Sequence, residues 1–458
     1  MMKTYLEPAR DIPVRSYDVV VAGGGTGGVV AAIAAARTGA RTALVESKGY
    51  VGGIVTEGGT ALHSYFNLWK AFPGVPRTQL VRGIPQEIID RLLAAGGTAG
   101  HVEVDEGWDY DSVCTSIDTE IYKCVVHSML LEAGVEVMVN TMLVGAVTDG
   151  GTIRGALVES RSGRELLEAA SFIDATGYGD LAAHAGAQFT DPNDYSVANS
   201  IGVGGVDIDT YISWLRERDG IADYAETVLP DGSRQVVRVS AKKRVMPAEF
   251  VALLDKLGMV MVTTVVHKDH FMFIKFNYKM ADSVVGPEGR DAQAAAEHVL
   301  RARQLEGIAA LRRFIPGCGN AYIARTSPSI CIRRARCITC DYDVNIDDVI
   351  NGNHFRDDIM YYGFHDLAPR YQIRDGGSYG IPLRALTVAG LDNLFAIGMM
   401  VTSEYYAHMS TRNTVCCMGQ GQGAGTAAAL CAQNGWDART LLIDVLRKTL
   451  LASDVYLG

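Results

Sequence analysis

The stretch Tyr17–Glu46, YDVVVAGGGTGGVVAAIAAARTGARTALVE, constrains the fold more than any other part of the chain. Asp18–Ala22 is a short Val-rich run, the pattern of a strand buried on both faces. Gly23, Gly25 and Gly28 then supply G-x-G-x-x-G. Val29–Arg37 is Ala-rich and reads as a helix that stops at Gly39. Thr42–Val45 reads as a second strand, running into Glu46. Strand, glycine turn, helix, strand and acid in this order form a dinucleotide-binding fingerprint. Gly23 allows the tight turn, Gly25 lets the backbone approach a pyrophosphate, and Gly28 lets helix and strand pack closely. The helix N-terminus, with Thr26 in the turn that leads to it as a further candidate cofactor residue, offers free N–H groups and a positive dipole end to phosphate. Glu46 suits both ribose hydroxyls and would repel a 2′-phosphate, which disfavours NADP. The fingerprint alone does not separate NAD from FAD.

The residues after Glu46 narrow the choice. SKGYVGGIVTEGGT places Gly52–Gly53 and Gly58–Gly59 just beyond the acid, with Lys48 between. A nucleotide helix, a Glu and then a Gly-Gly pair is the usual order in FAD proteins. Lys48, Gly52 and Gly53 therefore join the expected cofactor set. His63 reads either as a loop histidine or as a residue near the flavin. Further on, SFIDATGYGDLAAHAGA (Ser171–Ala187) holds a core strand, Phe172–Ala175, and an Ala175-Thr176-Gly177 turn that would close over the cofactor. Asp180 opens the next helix. A second G-x-G-x-x-G is absent, so no separate NAD(P)H module is expected.

The chain has 458 residues, enough for two domains. The expected class is α/β: a Rossmann-like FAD-binding domain with a mainly parallel sheet, plus an inserted α+β substrate domain. The expected division is 1–187 for the first part of the FAD domain, 188–324 for the insertion, and 325–458 for the return segment and C-terminal helices. Within the insertion, Asp209–Arg218, Pro247–Leu257 and Asp291–Arg313 read as helices and His270–Tyr278 as a half-buried strand. A net charge of −10 argues against a nucleic-acid partner. No apolar run reaches the length of a membrane span. The N-terminal residues lack a signal-peptide core, and nine scattered Cys fit free thiols; a cytoplasmic location is the expectation.

Together these pieces resemble the FAD-dependent oxidoreductases of the glutathione-reductase-2 structural class, which are related to fumarate reductase flavoproteins. The resemblance covers about residues 17–187 and 324–440. It implies FAD, held by Gly23, Gly25, Gly28, Glu46 and Gly52–Gly53, with adenine read by backbone near Leu143–Val144. The late pattern Ile381, Pro382, Arg384, Ala385, Leu386, then Asn393, Leu394 and Gly398, matches the family's return strand. Ala407, His408, Ser410 and Arg412 match a following segment. Gly421, Gln422, Ala424, Gly425 and Thr426 match a helix start, so a helix beginning near Gly419 is expected to point its N-terminus at the flavin. The family's polar residue after Gly398 is Met399 here, and its Arg-Glu strand motif reads Arg333-Arg334-Ala335-Arg336.

The candidate catalytic residues are His408 as acid/base, Arg412 as a fixed charge, His365 beside Asp366, and Arg384. Cys337-x-x-Cys340 reads as strand, which points the two thiols apart, and no metal site is expected. Three readings of the activity are open. The first is a dehydrogenase or oxidase taking hydride from a C–OH or C–N carbon of a small organic substrate, anionic ones included. The second is fumarate-reductase-like reduction of an activated C=C. The third, from another class, is a non-redox protein with structural FAD. Electrons would leave to O₂, a quinone or a protein.

Overall fold

The computed structural model describes residues 4–58, 61–107, 110–368 and 370–458; Gly59 lies outside the described residues. Its first layer is a seven-stranded sheet. Strand Val14–Ala22 lies at the centre, with Thr42–Val45 on one side and Gly163–Asp174 on the other, both parallel to it. Glu136–Met138 extends the parallel side beyond Thr42–Val45. The central strand is buried from Val19 to Ala22, as a Val-rich run between two covering layers should be.

Gly163–Asp174 is one twelve-residue strand, whose end is the stretch that the sequence marks, at Phe172–Ala175, as a core strand. Its N-terminal half pairs antiparallel with Thr152–Ser160, and Met142–Asp149 completes that meander. Its C-terminal end pairs parallel with Leu394–Ala396. A single strand can serve both partners because they bond different lengths of the same edge.

The helix Thr26–Arg37 covers the central strand and is itself covered by Thr414–Asn434, a helix of 21 residues. Here the sequence expectation is corrected. The helix does not begin near Gly419; it begins at Thr414, and Gly421, Ala424, Gly425 and Thr426 lie inside it. A Cβ on Gly421 would come within 2.2 Å of Gly27 O, and one on Gly425 within 2.2 Å of Ala31 O. The glycines are there because two helix backbones touch, which no larger residue permits. Thr426 turns its hydroxyl back to Gln422 O. These four residues are helix-packing residues, not a flavin-facing turn.

The second layer is an open four-stranded sheet in the order Met259–Val260, His270–Tyr278, Val197–Gly204, Tyr322–Thr326, with a separate three-stranded sheet beside it. The helices Ala248–Leu257 and Arg290–Phe314 cover it. Its apolar cluster runs from Val197 to Ala335, so its packing continues past residue 324. Among the described residues no helix is long and apolar enough to cross a membrane.

The glycine contact makes a prediction that separates packing from cofactor binding. Gly425→Ala should destabilise the fold by about 1–3 kcal/mol through overpacking, more than the roughly 1 kcal/mol that alanine gains in helix propensity. Urea unfolding of the holoprotein checks this. Unchanged stability with lost flavin would return Gly425 to the cofactor set.

Candidate functional site

Three parallel strands end side by side, and each runs into a glycine. Val14–Ala22 leads to Gly23–Gly25, Gly163–Asp174 to Ala175–Gly177, and Leu394–Ala396 to Gly398. Gly23 has φ +101°, and a Cβ there would strike Ala175 O at 2.4 Å. A Cβ on Gly28 would strike Gly23 O at 1.9 Å. Both are therefore fixed by the protein's own packing. Gly25, Gly177 and Gly398 differ. A Cβ on Gly25 would meet only Ala175 O at 3.7 Å, one on Gly177 only the tip of Met399 at 4.0 Å, and one on Gly398 nothing within 4 Å. Open space beyond all three, at the C-terminal ends of neighbouring strands, is where a ligand of an α/β sheet binds.

Two helix N-termini bound this space. The helix starting at Thr26 has Gly25 at its N-cap, and the one starting at Thr414 has Asn413; neither cap gives a side-chain hydrogen bond to the helix. The first-turn N–H groups thus stay available to phosphate or a carbonyl oxygen. The two first turns adjoin, since a Cβ on Gly27 would lie 2.9 Å from Cys417 O.

The acid end is equally ordered. Glu46 is buried, with Oε2 accepting from Gly24 N at 2.9 Å and Oε1 from Lys48 N at 2.8 Å. Oε1 also accepts from Ser47 Oγ at 3.1 Å, so Oε2 is the oxygen that keeps a further lone pair for a ribose hydroxyl. Thr141 N donates to Glu46 O, so the chain enters the strand Met142–Asp149 beside the acid, and Val144 falls at a register shift in that strand. Thr26 uses its hydroxyl on Gly52 O at 3.1 Å. A Cβ on Gly53 would come within 2.8 Å of Gly25 Cα, so this glycine answers to the first turn itself. Lys48 is not a free cation; its ammonium pairs with Glu57 and donates to Ser329 Oγ. One contributor was not singled out from the sequence. Asp174 is fully buried and builds the Ala175–Gly177 turn by accepting from Thr176 N, Thr176 Oγ1 and Ala182 N.

The expected catalytic residues divide. His408 sits in the helix Tyr405–Thr411 at 0% exposure, its Nε2–H donating to Met399 O at 2.8 Å. Burial, then the charges of Arg412 and Arg334, push its pKa well below the usual imidazole range. It is a neutral brace for the segment after Gly398, not an open acid/base. His365 is 2% exposed and fully committed: Nε2–H donates to Tyr406 O at 2.8 Å, and Nδ1 accepts from Leu367 N at 3.0 Å. Arg384 pairs with Asp357 and lies over the rings of Tyr342 and Phe355 at 4.6 and 4.7 Å, a structural contact. All three were singled out by polarity; packing has used up that of His365 and Arg384 and has sealed the unpartnered Nδ1 of His408 away from solvent.

Arg412 does face a cluster. It pairs with Asp366, donates to Tyr195 Oη at 3.2 Å, and lies 5.0 Å from that ring's centre. Arg333 lies 4.7 Å from the same ring and is held by Ser196 O and Asn277 Oδ1. Lys275 is two residues from Asn277 on the strand His270–Tyr278, hence on the same face. It is partly buried, and among the described residues it has no hydrogen bond or ion pair. Burial, with Arg333 and then Arg412 adding repulsion, lowers its ammonium to about 8. Burial and the neighbouring Arg412 lower Arg333 too, whereas Asp366 holds Arg412 above its ordinary value against burial. Two guanidiniums thus meet on Tyr195, one of them bonded to Asp366, and the Lys275 ammonium lies within the field of both. The lone Lys in the apolar run HFMFIKFNY was the available signal for Lys275.

His63 stands at the edge of this cluster. Its Nδ1 is 3.3 Å from Asp111 Oδ2, and its ring stacks on Phe364 at 5.3 Å and 8°. Tyr110 packs edge-on against both rings.

A sheet of this topology, ending in a glycine-lined gap between two uncapped helix starts, defines a dinucleotide-binding flavoprotein. A profile of the FAD dependent oxidoreductase family matches residues 18–450, and the chain belongs to that family; its cofactor is FAD. Similar solved structures include a geranylgeranyl bacteriochlorophyll reductase-like protein of Thermoplasma acidophilum, at 12% identity and TM-score 0.49 over 96% of this chain and 87% of that one. The OxyS anhydrotetracycline hydroxylase of Streptomyces rimosus gives 12% identity and TM-score 0.48 over 96% and 66%. The flavin-dependent brominase Bmp2 gives 12% and 0.47 over 96% and 84%.

The gap beyond Gly25 predicts that Gly25→Val folds, since nothing in the protein opposes the side chain, but releases FAD. Retention of full FAD by the folded variant, read from its visible spectrum after gel filtration, would move the pyrophosphate elsewhere.

Proposed function

We propose that this FAD-dependent oxidoreductase is a dehydrogenase or oxidase of the glutathione-reductase-2 class, taking hydride from a C–OH or C–N carbon of a small anionic substrate. The observation that carries the reading is the cation excess around Tyr195: Arg412, Arg333 and Lys275 against the Asp366 carboxylate. Burying like charges costs free energy unless a counter-ion joins them. A substrate carboxylate is a counter-ion of the right size, and a guanidinium binds it through paired N–H donors.

In this reading FAD lies across Gly25, Gly177 and Gly398, with Thr26 and its turn on the pyrophosphate, Glu46 on the adenosine ribose, Gly52 and Ala175 lining the slot, and Val144 near adenine. The Thr414 helix start would face the flavin's pyrimidine end. When bound, FAD supplies the two-electron acceptor. The chain's own part is to bind and orient. Arg333 and Arg412 anchor the acid, Tyr195 spaces them, and the inserted domain brings Lys275 over the anchored group. The return path for electrons, to O₂, a quinone or a protein, belongs to the same proposal.

Anaerobic titration of the holoenzyme tests it. Hydroxy and amino acids should bleach the flavin, while neutral alcohols and amines of the same size should not. Arg333→Met should raise the concentration for half-maximal bleaching about 10- to 100-fold, the equivalent of losing a charged hydrogen bond of roughly 1.5–3 kcal/mol. Equal bleaching by neutral alcohols would overturn the anionic reading. Reoxidation of the dithionite-reduced enzyme by an enoate, with no saturated acid active, would make it a C=C reductase.

A further inference from the structure

We propose that His63 Nε2 is the proton acceptor of this site, oriented by Asp111, and that the substrate it serves is a 2-hydroxy acid. This rests on the oxidative, anion-binding reading above and adds the second group of the reaction.

Removing hydride from a C–OH carbon leaves a proton that needs a base in hydrogen-bond reach. His365 has no such atom free, with Nε2–H on Tyr406 O and Nδ1 on Leu367 N, while the unpartnered Nδ1 of His408 is sealed from solvent in a ring whose pKa burial and the charges of Arg412 and Arg334 push well below the usual imidazole range. His101 spends both nitrogens on Thr115 Oγ1 and Gln86 Oε1. His63 combines a carboxylate on Nδ1 with an Nε2 that no described group bonds. Asp111 accepting Nδ1–H fixes the tautomer that leaves the Nε2 lone pair outward.

The surroundings show a built position. Asp111 is 4% exposed and takes Ser64 N at 3.1 Å on the same oxygen that faces His63. Ser64 has φ +61°, a left-handed conformation uncommon outside glycine, and it places that N–H directly after His63. Tyr362 Oη donates to His63 O at 3.1 Å, while Phe364 and Tyr110 clamp the ring.

The dyad adjoins the anion anchor. Phe364, under the imidazole, is two residues from Asp366, the partner of Arg412. Tyr110, at its edge, feels Asp366, Arg238, Arg412 and Asp111. Of these four groups, Asp111 is the one in contact with His63. His267–Asp118 and His354–Asp358 are also His–Asp pairs, but neither touches Tyr110, Phe364 or the Arg412 cluster. The substrate assigned to this pair carries its acid on the carbon next to the one that reacts, as a 2-hydroxy acid does, so that one small molecule presents a carboxylate to the guanidiniums and a hydroxyl to the imidazole. The step balances: the Cα–H bond breaks with hydride leaving to FAD, the O–H bond breaks with its proton passing to His63 Nε2, and C=O forms, giving a 2-oxo acid.

Two measurements test it. In the first, oxalate binds the oxidised holoenzyme in calorimetric titrations run above pH 7 in two buffers of different ionisation enthalpy. On a Lys275→Met background, where the ammonium cannot contribute, oxalate binding should draw in about one proton per site, and adding His63→Asn should leave oxalate bound with that uptake lost. In the second, 2-hydroxy acids reduce the flavin; His63→Asn should slow this about 10²- to 10⁴-fold and remove the acidic limb of the pH profile, with Asp111→Asn slowing it less. A His63→Asn enzyme with full flavin, wild-type rate and unchanged proton uptake would overturn the proposal. Should His63→Asn lose flavin, an Asp111→Asn enzyme with wild-type rate and uptake would overturn it equally. If oxalate binds but no 2-hydroxy acid bleaches the wild type, the oxidative reading fails while proton uptake still judges His63. If oxalate does not bind at all, the anion reading and this proposal fall together.

Discussion

The backbone contact between the helices Thr26–Arg37 and Thr414–Asn434 is the constraint on which the site depends. Gly421 and Gly425 lie so close to Gly27 O and Ala31 O that a single methyl cannot be inserted. On the opposite face, Gly419 and Gly423 admit Met360 and Ile359. This pairing sets where the second helix begins, and so where Asn413 and the first-turn N–H groups stand relative to Thr26. Two positive helix ends are thereby brought together over one gap, a costly arrangement unless an anionic ligand shares them. A pyrophosphate-linked cofactor meets that condition.

What was legible in the sequence was local. The order from Asp18 to Glu46 needs only near neighbours to be read, and the turn closes on Gly23 and Gly28 as their types require. The Ala175–Gly177 turn was legible for the same reason, although the acid that builds it, Asp174, reads as an ordinary strand end. The run Gly419–Thr426 failed because glycine has two meanings. It marks a turn when the backbone must bend and a close contact when two backbones must touch, and only the tertiary partner, Gly27 and Ala31, decides between them.

The catalytic candidates failed for a related reason. A histidine near neutral pH is useful only if one nitrogen remains free, and freedom is a property of the folded surroundings. His408 and His365 supply hydrogen bonds that hold Met399 and Tyr406, and these bonds fix the segments that carry Arg412 and Asp366 to the cluster. They serve the site by being used up. Tyr195, Lys275 and Arg333 come from distant parts of the chain, and no spacing rule connects them to Asp366 or Arg412.

The cluster itself is unbalanced, and the imbalance bears on its purpose. Had it served stability alone, each cation would be matched, as Arg238 is by Asp223 and Arg334 by Asp194. Removing an unmatched buried charge, or replacing it with an apolar residue of similar size, is often neutral or favourable. Keeping Lys275 beside Arg333 does the reverse: the guanidinium adds to burial in loosening the ammonium's hold on its proton. The ammonium, brought down to about 8, is the most loosely held of the three charges, and an anion beside it would favour its charged form. Such a cluster discriminates by charge before shape, which suits the small acid proposed to sit beside the His63–Asp111 pair.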